Sequence, residues 1–430
     1  MNLLEKQFEL PRDIVIKERD GKYLFLSPSK PKWVVTNSNG AFALQLCNGK
    51  RTLREIINEI NKVANRDVTK EIQAYFQEII ANSNFFSSDD VDSFSPFPKN
   101  LRIIHLGLTN QCNLRCIYCY ASERETLKRN LSFKEILNAI DSINNISKNG
   151  TIILTGGEPL LENHAIEVAE YANKKGNQVH LLTNGTLINE DNANRISKAF
   201  HLVQLSVDGS NAEIHDFHRG KGSFSKVTEA TEMLIKNGAF VQISMTVTQR
   251  NLNDIENVVK KFGSPLLFAP LFKAGRGRNR KDLAITGKEY YEALSSVKGV
   301  NPLSYLCSSL ERAKQRKILK CAMGDSEISI SNTGDVYPCH LLHFPHFLAG
   351  NIKNQNLESI YETSEILKSC RDLTILKIKE CKKCDIRFIC GGACRARAFF
   401  EKNRIDVSDD FCEYEKQAFI NGLFEVHYFD

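Results

Sequence analysis

The 430-residue sequence contains no run of eighteen apolar residues, so no membrane-spanning helix is expected. Its start, M-N-L-L-E-K-Q-F-E-L-P-R-D, lacks the apolar stretch of a secretory signal, and a cytoplasmic location is expected. Charge of one sign is nearly absent as a surplus: 57 Lys and Arg against 51 Asp and Glu leave +6. That is too mild to point to nucleic acid. The basic run Lys273, Arg276, Arg278, Arg280 and Lys281 reads as a solvated loop. With 42% apolar and 25% charged residues, the chain has the make-up of a globular protein of two or three domains. Disulfides are not expected in a reducing compartment, so thirteen cysteines point to metal or redox chemistry. The first 94 residues hold no cysteine cluster, and Cys47 there reads as a core residue.

Cys112, Cys116 and Cys119 stand in T-N-Q-C-N-L-R-C-I-Y-C-Y, a C-x3-C-x2-C spacing on the loop after a strand-like run, Leu101 to Leu108. Three thiolates can hold three irons of a four-iron, four-sulfur cube and leave the fourth iron open to a ligand. Further strands are expected at Thr151 to Leu154, Gln178 to Leu182, Leu202 to Val207, Phe240 to Val247 and Leu266 to Pro270, with helices between them. One of those helices is capped by Ser132, with Glu135 three residues on. Repeated strand–helix units predict a parallel sheet with its chemistry at the carboxyl ends of the strands. Gly156-Gly157-Glu158-Pro159 follows the second strand, Thr183-Asn184-Gly185 the third, and Ser206, Asp208 and Gly209 close the fourth. Asn184 and Asp208 also read as turn residues that cap the next helix. Ser244, Thr246 and Thr248 share one face of the fifth strand, and Arg219 can clamp a carboxylate or lie on the surface.

This pattern, with Tyr118 just before the third cysteine, resembles the radical S-adenosylmethionine (SAM) enzymes. The resemblance implies a partial (β/α)6 TIM-like barrel, a SAM-binding 4Fe-4S cluster on Cys112, Cys116 and Cys119, and a G-G-E-P loop that holds the SAM amino group. It further implies SAM contacts at Tyr118, Gly156, Gly157, Glu158, Pro159, Asn184, Ser206, Asp208, Arg219, Ser244 and Thr246. No catalytic acid or base is assigned.

Late in the chain, Cys321 and Cys339 are followed by Cys381, Cys384, Cys390 and Cys394, in C-x2-C-x5-C-x3-C, and then Cys412. A zinc ribbon is the competing reading, but it wants two C-x2-C pairs and this run holds one. The seven cysteines resemble the SPASM module of radical SAM peptide maturases. The resemblance implies one auxiliary 4Fe-4S cluster on Cys381, Cys384, Cys390 and Cys412 and another on Cys321, Cys339 and Cys394. Cys307, Cys370 or a histidine among His340, His343 and His346 are candidates to complete the second, or its iron stays open to substrate.

At the other end, strands are expected at Phe8 to Ile16, Tyr23 to Ser27 and Trp33 to Val35, with an Asp20-Gly21 hairpin turn. Three helices should follow, capped at Asn37 or Ser38, at Thr52 with Glu55 (a capping box), and at Asp67. Order and size resemble the winged-helix-like, PqqD-like recognition element that captures a leader peptide by strand addition. The expected organisation is 1–94 for that element, 95–300 for the barrel and 301–430 for the SPASM domain, with a linker from Phe85 to Asn100.

Together these resemblances imply a cytoplasmic maturase of a ribosomally made precursor peptide, served by an electron donor such as flavodoxin or ferredoxin. The implied product is an intramolecular crosslink: thioether, carbon–carbon or carbon–oxygen. A peptide epimerase or a sulfatase-maturase-like oxidase is the alternative within the family. His340 stands where the sulfatase maturases carry an acidic residue. A non-catalytic electron carrier or peptide-binding scaffold is the alternative of another class, and the intact G-G-E-P loop speaks against it.

Overall fold

The computed structural model describes residues 2–82, 85–86, 101–123, 129–263, 265–300 and 318–425. The expected linker beyond Phe86 and the candidate ligand Cys307 lie outside the described residues.

The first segment opens with β1 (Gln7–Glu9), which pairs antiparallel with β5 (Asn48–Thr52). A meander of β2 (Val15–Arg19), β3 (Lys22–Ser27) and β4 (Lys32–Asn37) follows β1. The expected strand from Phe8 to Ile16 is therefore two strands. Pro11 lacks an N–H to give to a ladder, and a turn forms there, with the Ile14 N–H donating to the Pro11 carbonyl at 3.1 Å. Asp20 and Gly21 both take positive φ, 51° and 74°, the geometry of a tight hairpin whose twist matches its strands. Asn37 caps α1 (Ser38–Gln45), and Thr52 with Glu55 forms the capping box of α2 (Leu53–Ala64). Asp67 accepts from the Thr69 N–H at the start of α3 (Thr69–Asn82).

The β2–β3–β4 sheet is covered on both faces, as the period-2 alternation of its side chains requires. Phe25 and Val34 pack under Ala41, Leu44, Ile79 and Phe85, so Phe85 belongs to this core and not to a linker. Leu24, Leu26, Trp33 and Val35 face the other way. They pack on Met245, Val247 and Phe268 of the second segment and on Phe419 and Leu423 of the C-terminal helix Cys412–Glu425. The N-terminal unit is thus built into the body of the protein.

The second segment carries six parallel strands in unbroken order: β6 (Ile103–Thr109), β7 (Thr151–Gly156), β8 (Gln178–Thr183), β9 (Leu202–Ser206), β10 (Val241–Val247) and β11 (Leu266–Pro270). Helices cover the outer face, among them Phe133–Ile146, whose capping box is Ser132 and Glu135. Ile152, Leu154, Val179, Leu181, Val203 and Leu205 pack outward against these helices. The alternate residues, including His105, His180, Gln204, Ser206 and Ser244, face inward, which gives a partial barrel with a polar interior. The third segment extends this sheet. β12 (Glu327–Ile330) runs parallel to β6, and β13 (Asp335–Tyr337) and β14 (Gly350–Asn351) follow antiparallel, making nine strands.

Candidate functional site

The cysteine loop leaves the carboxyl end of β6 and is zipped to the loop after β7. The Gly157 N–H donates to the Thr109 carbonyl at 2.7 Å, and the Glu158 N–H to the Gln111 carbonyl at 2.8 Å. This is why two glycines stand there. Gly156 has φ +137°, and a Cβ on it would lie 2.1 Å from the Thr109 oxygen; a Cβ on Gly157 would lie 2.0 Å from the Gln111 oxygen. Any side chain would pry the two loops apart.

A cavity of about 820 Å³ opens over this junction, lined by Cys112, Cys116, Cys119, Gly156, Gly157 and Arg276 among others. Its size is that of a cofactor or substrate site. Burial pushes the Cys112 thiol up, and that of Cys116 up to about 11. Such thiols ionise when a metal takes them as ligands. Among the described residues, no three thiols lie within 4.8 Å of one another. Tetrahedral zinc with Zn–S bonds near 2.3 Å needs sulfurs about 3.8 Å apart.

The other expected SAM contacts are arranged differently from one another. Glu158 keeps its carboxylate on protein donors. It is buried, accepts from Thr183 Oγ1 at 2.7 Å and the Asn184 N–H at 2.8 Å, and caps the 3-10 turn Pro159–Leu161. Burial raises its pKa. Only the glycine part of G-G-E-P lines the cavity. Asn184 braces the cysteine loop, donating to Asn113 Oδ1 at 2.9 Å with Cys112 Sγ at 3.9 Å.

Asp208 is fully buried. Its carboxylate accepts from the Tyr118 hydroxyl, from Arg219 Nε and from the Thr246 N–H at 3.0 Å. Burial opposes its charge, but the Arg219 guanidinium and the nearby imidazoles of His218 and His215 hold the carboxyl below its ordinary range. Tyr118, Asp208, Arg219 and Thr246 therefore form one network that anchors the cysteine loop to β9 and β10. Ser206 and Ser244 are register partners on the inner face of those strands, half-buried.

Residue-by-residue reading missed Arg276. Its Nε donates to the Cys116 carbonyl at 2.8 Å, and its backbone N–H to the Cys119 carbonyl at 3.0 Å. The solvated-loop reading of its basic run is thus corrected at this position, while Arg280 pairs locally with Asp282. His215 was also missed: its Nδ1 accepts the Asp208 N–H at 3.2 Å.

The late cysteines fall into two groups. Cys339 feels the charges of Cys321 and Cys394, and the three share an apolar cluster with Met323, Leu342 and Ala396. Cys370 packs in that cluster, beside Cys321. Cys412 feels Cys381 and Cys384, and Cys390 feels Cys412 and Cys381. Burial raises every one of these pKa values, to about 12 for Cys412 and about 11 for Cys381 and Cys394. Beside the second group, buried Arg397 bridges Asp409 at 2.8 Å and Glu415 at 2.6 Å.

Comparison with known proteins agrees with this geometry. Residues 106–262 match the radical SAM superfamily, and residues 321–385 match the SPASM iron–sulfur cluster-binding domain. The AdoMet-dependent heme synthase of Methanosarcina barkeri is 30% identical over 343 residues, covering 73% of this chain and 96% of its own. The antilisterial bacteriocin subtilosin biosynthesis protein AlbA of Bacillus subtilis is 30% identical over 384 residues, covering 81% and 82%. Among solved structures, Streptococcus suis SuiB bound to precursor peptide SuiA shares the fold over 94% of this chain and 99% of its own. Its TM-score is 0.59 at 13% identity. No helix of the described residues is long and apolar enough to cross a membrane. The chain belongs to the radical SAM superfamily and is a SPASM-containing radical SAM enzyme, whose cofactors are a SAM-binding 4Fe-4S cluster, SAM and auxiliary iron–sulfur clusters.

Proposed function

We propose that this enzyme modifies a ribosomally synthesised precursor peptide, forming an intramolecular crosslink through a thioether, carbon–carbon or carbon–oxygen bond. The observation that carries the reading is the N-terminal unit, a three-stranded sheet fixed to the barrel and to the C-terminal helix by Leu24, Leu26, Trp33 and Val35. Its edge strands, β2 and β4, suit capture of a leader peptide by strand addition, as in a PqqD-like recognition element. The SuiB fold, seen with a precursor peptide, spans nearly all of this chain, and AlbA serves subtilosin biosynthesis.

In this reading Cys112, Cys116 and Cys119 hold the SAM-binding cluster. Cys381, Cys384, Cys390 and Cys412 hold one auxiliary cluster, and Cys321, Cys339 and Cys394 the other. SAM bound at the first cluster supplies hydrogen-atom abstraction through a 5′-deoxyadenosyl radical. Gly156 and Gly157 give that site its close backbone approach, and Asn184 and Arg276 brace the cysteine loop. Glu158 and Asp208 act on the site by holding loops, with Tyr118, Arg219 and Thr246 around Asp208. Ser206 and Ser244 present hydroxyls to the barrel interior. A flavodoxin or ferredoxin donates electrons, and the enzyme works in the cytoplasm.

A heme-synthase-like activity is the second reading, favoured by the Methanosarcina relative. Coexpression with small neighbouring reading frames, followed by mass spectrometry, separates the two. A peptide lighter by two hydrogens per crosslink is the expected result. Unchanged mass with altered stereochemistry would make the enzyme an epimerase. Unmodified peptides together with conversion of a tetrapyrrole would replace the proposal by the second reading.

A further inference from the structure

Three side chains meet one inward layer below the cavity floor, one of them, His340, being also a candidate to complete the second auxiliary cluster. Ser329 and His343 line the cavity, with His343 Nε2 and Ser329 Oγ 2.8 Å apart. Ser329 is the register partner of His105 across the β6–β12 pair, and Glu327 lies one inward step before Ser329 on β12. His105 Nε2 lies 3.4 Å from Glu327 Oε1, and His340 Nδ1 lies 3.1 Å from the same oxygen. The ligand atoms of the three residues all fall within 4.8 Å of one another. The imidazoles stack at 4.1 Å between centroids, and Cys339 Sγ is 3.9 Å from His340 Nδ1.

We propose that His105, Glu327 and His340 form a binding site for one first-row divalent cation, zinc or ferrous iron, beside the Cys339 thiol. Two nitrogens and a carboxylate oxygen are a common ligand set for these ions. Bonds of about 2.0–2.1 Å in a tetrahedral array put neighbouring ligand atoms about 3.4 Å apart. The His105 contact to Oε1 matches that edge and is long for a hydrogen bond, while the 3.1 Å His340 contact is also of hydrogen-bond length. The site is pre-organised, because the β6–β12 pairing fixes His105 against Glu327, and Glu327 is tied to the Cys321 turn by its N–H to the Ala322 carbonyl at 3.1 Å.

The test uses the full chain, anaerobically reconstituted so that iron–sulfur clusters fill the cysteine sites, and titrates it with Co(II). The expected result is one tight site with tetrahedral d–d absorption and the near-isosteric Glu327→Gln weakened at least tenfold, a loss of the size seen when metal-site partners are removed. His105→Asn should weaken it comparably. Cluster absorption and circular dichroism of both variants serve as the check on folding. Equal Co(II) binding by wild type and both variants, or no stoichiometric site in the wild type, would reduce the trio to a hydrogen-bonded ion pair. Should Glu327→Gln fail to fold, zinc and iron counts in His105→Asn decide: an unchanged metal content overturns the proposal.

Discussion

Gly157→Ala tests the view that the two catalytic loops are held by backbone contact alone. The new Cβ would sit 2.0 Å from the Gln111 oxygen, 2.5 Å from its carbonyl carbon and 2.7 Å from the Asn110 oxygen, all backbone atoms. Backbone cannot rotate aside, so the loops must separate by more than 1 Å. That breaks the Gly157-to-Thr109 and Glu158-to-Gln111 hydrogen bonds. Two such bonds are worth about 1–3 kcal/mol together, and the overpacking adds about 1–3 kcal/mol. A total of about 2–6 kcal/mol corresponds to a SAM affinity lower by roughly 30-fold to 20,000-fold, at 1.4 kcal/mol per tenfold. Equilibrium dialysis with labelled SAM on reconstituted protein measures this directly. The control is Gly238→Ala, where the backbone has φ +79° but nothing lies within 4 Å of the added Cβ. It should cost about 1 kcal/mol of stability and leave SAM binding unchanged. Wild-type SAM affinity in Gly157→Ala would refute the reasoning.

Three further outcomes follow from particular contacts. Tyr118→Phe removes a hydroxyl donor from the buried Asp208 carboxylate and should lower local stability by about 1.5–3 kcal/mol; hydrogen exchange around Asp208 should accelerate at least tenfold, and unchanged exchange would count against the network. Burial, reinforced by the Arg219 charge, depresses His215 from 6.5 to about 4. The unfolded chain therefore binds the proton first, and stability is lost as pH falls from 6.5 towards 4, by up to about 3 kcal/mol. Urea unfolding of His215→Asn should show a flatter slope in that window, and a slope equal to wild type would contradict the assignment. Cys384→Ala should retain some SAM cleavage but lose peptide product; full product yield would show the auxiliary site to be dispensable.

The sequence made visible what is local or strictly spaced. Each of the six barrel strands is a short apolar-rich run, and Ser132 with Glu135 marks the start of the helix before the second, so their positions were readable. The late cysteines stand at strict spacings, so the set was readable, while their division into two groups is not written in their order. What escaped depends on pairing between distant segments. β5 opens on Asn48-Gly49, which in isolation is a helix-stop signal, and the partner of its Thr52, Gln7, lies 45 residues away. β12 is only four residues long and pairs with a strand more than 200 residues earlier. Arg276 is 160 residues from the carbonyl it holds, and nothing in its basic run singles it out. The protein donors that Glu158 and Asp208 accept from, Thr183 and Asn184 for the first and Tyr118, Arg219 and Thr246 for the second, were equally hidden. Local pattern cannot reveal which way a carboxylate faces when its donors come from other strands.

The most direct test is to reduce anaerobically reconstituted protein with dithionite in the presence of SAM and to follow 5′-deoxyadenosine by mass spectrometry. The account predicts an iron- and sulfide-containing protein that forms it, with formation abolished when Cys112, Cys116 and Cys119 are all alanine. A colourless, zinc-containing protein, or formation that survives in the triple variant, would contradict it.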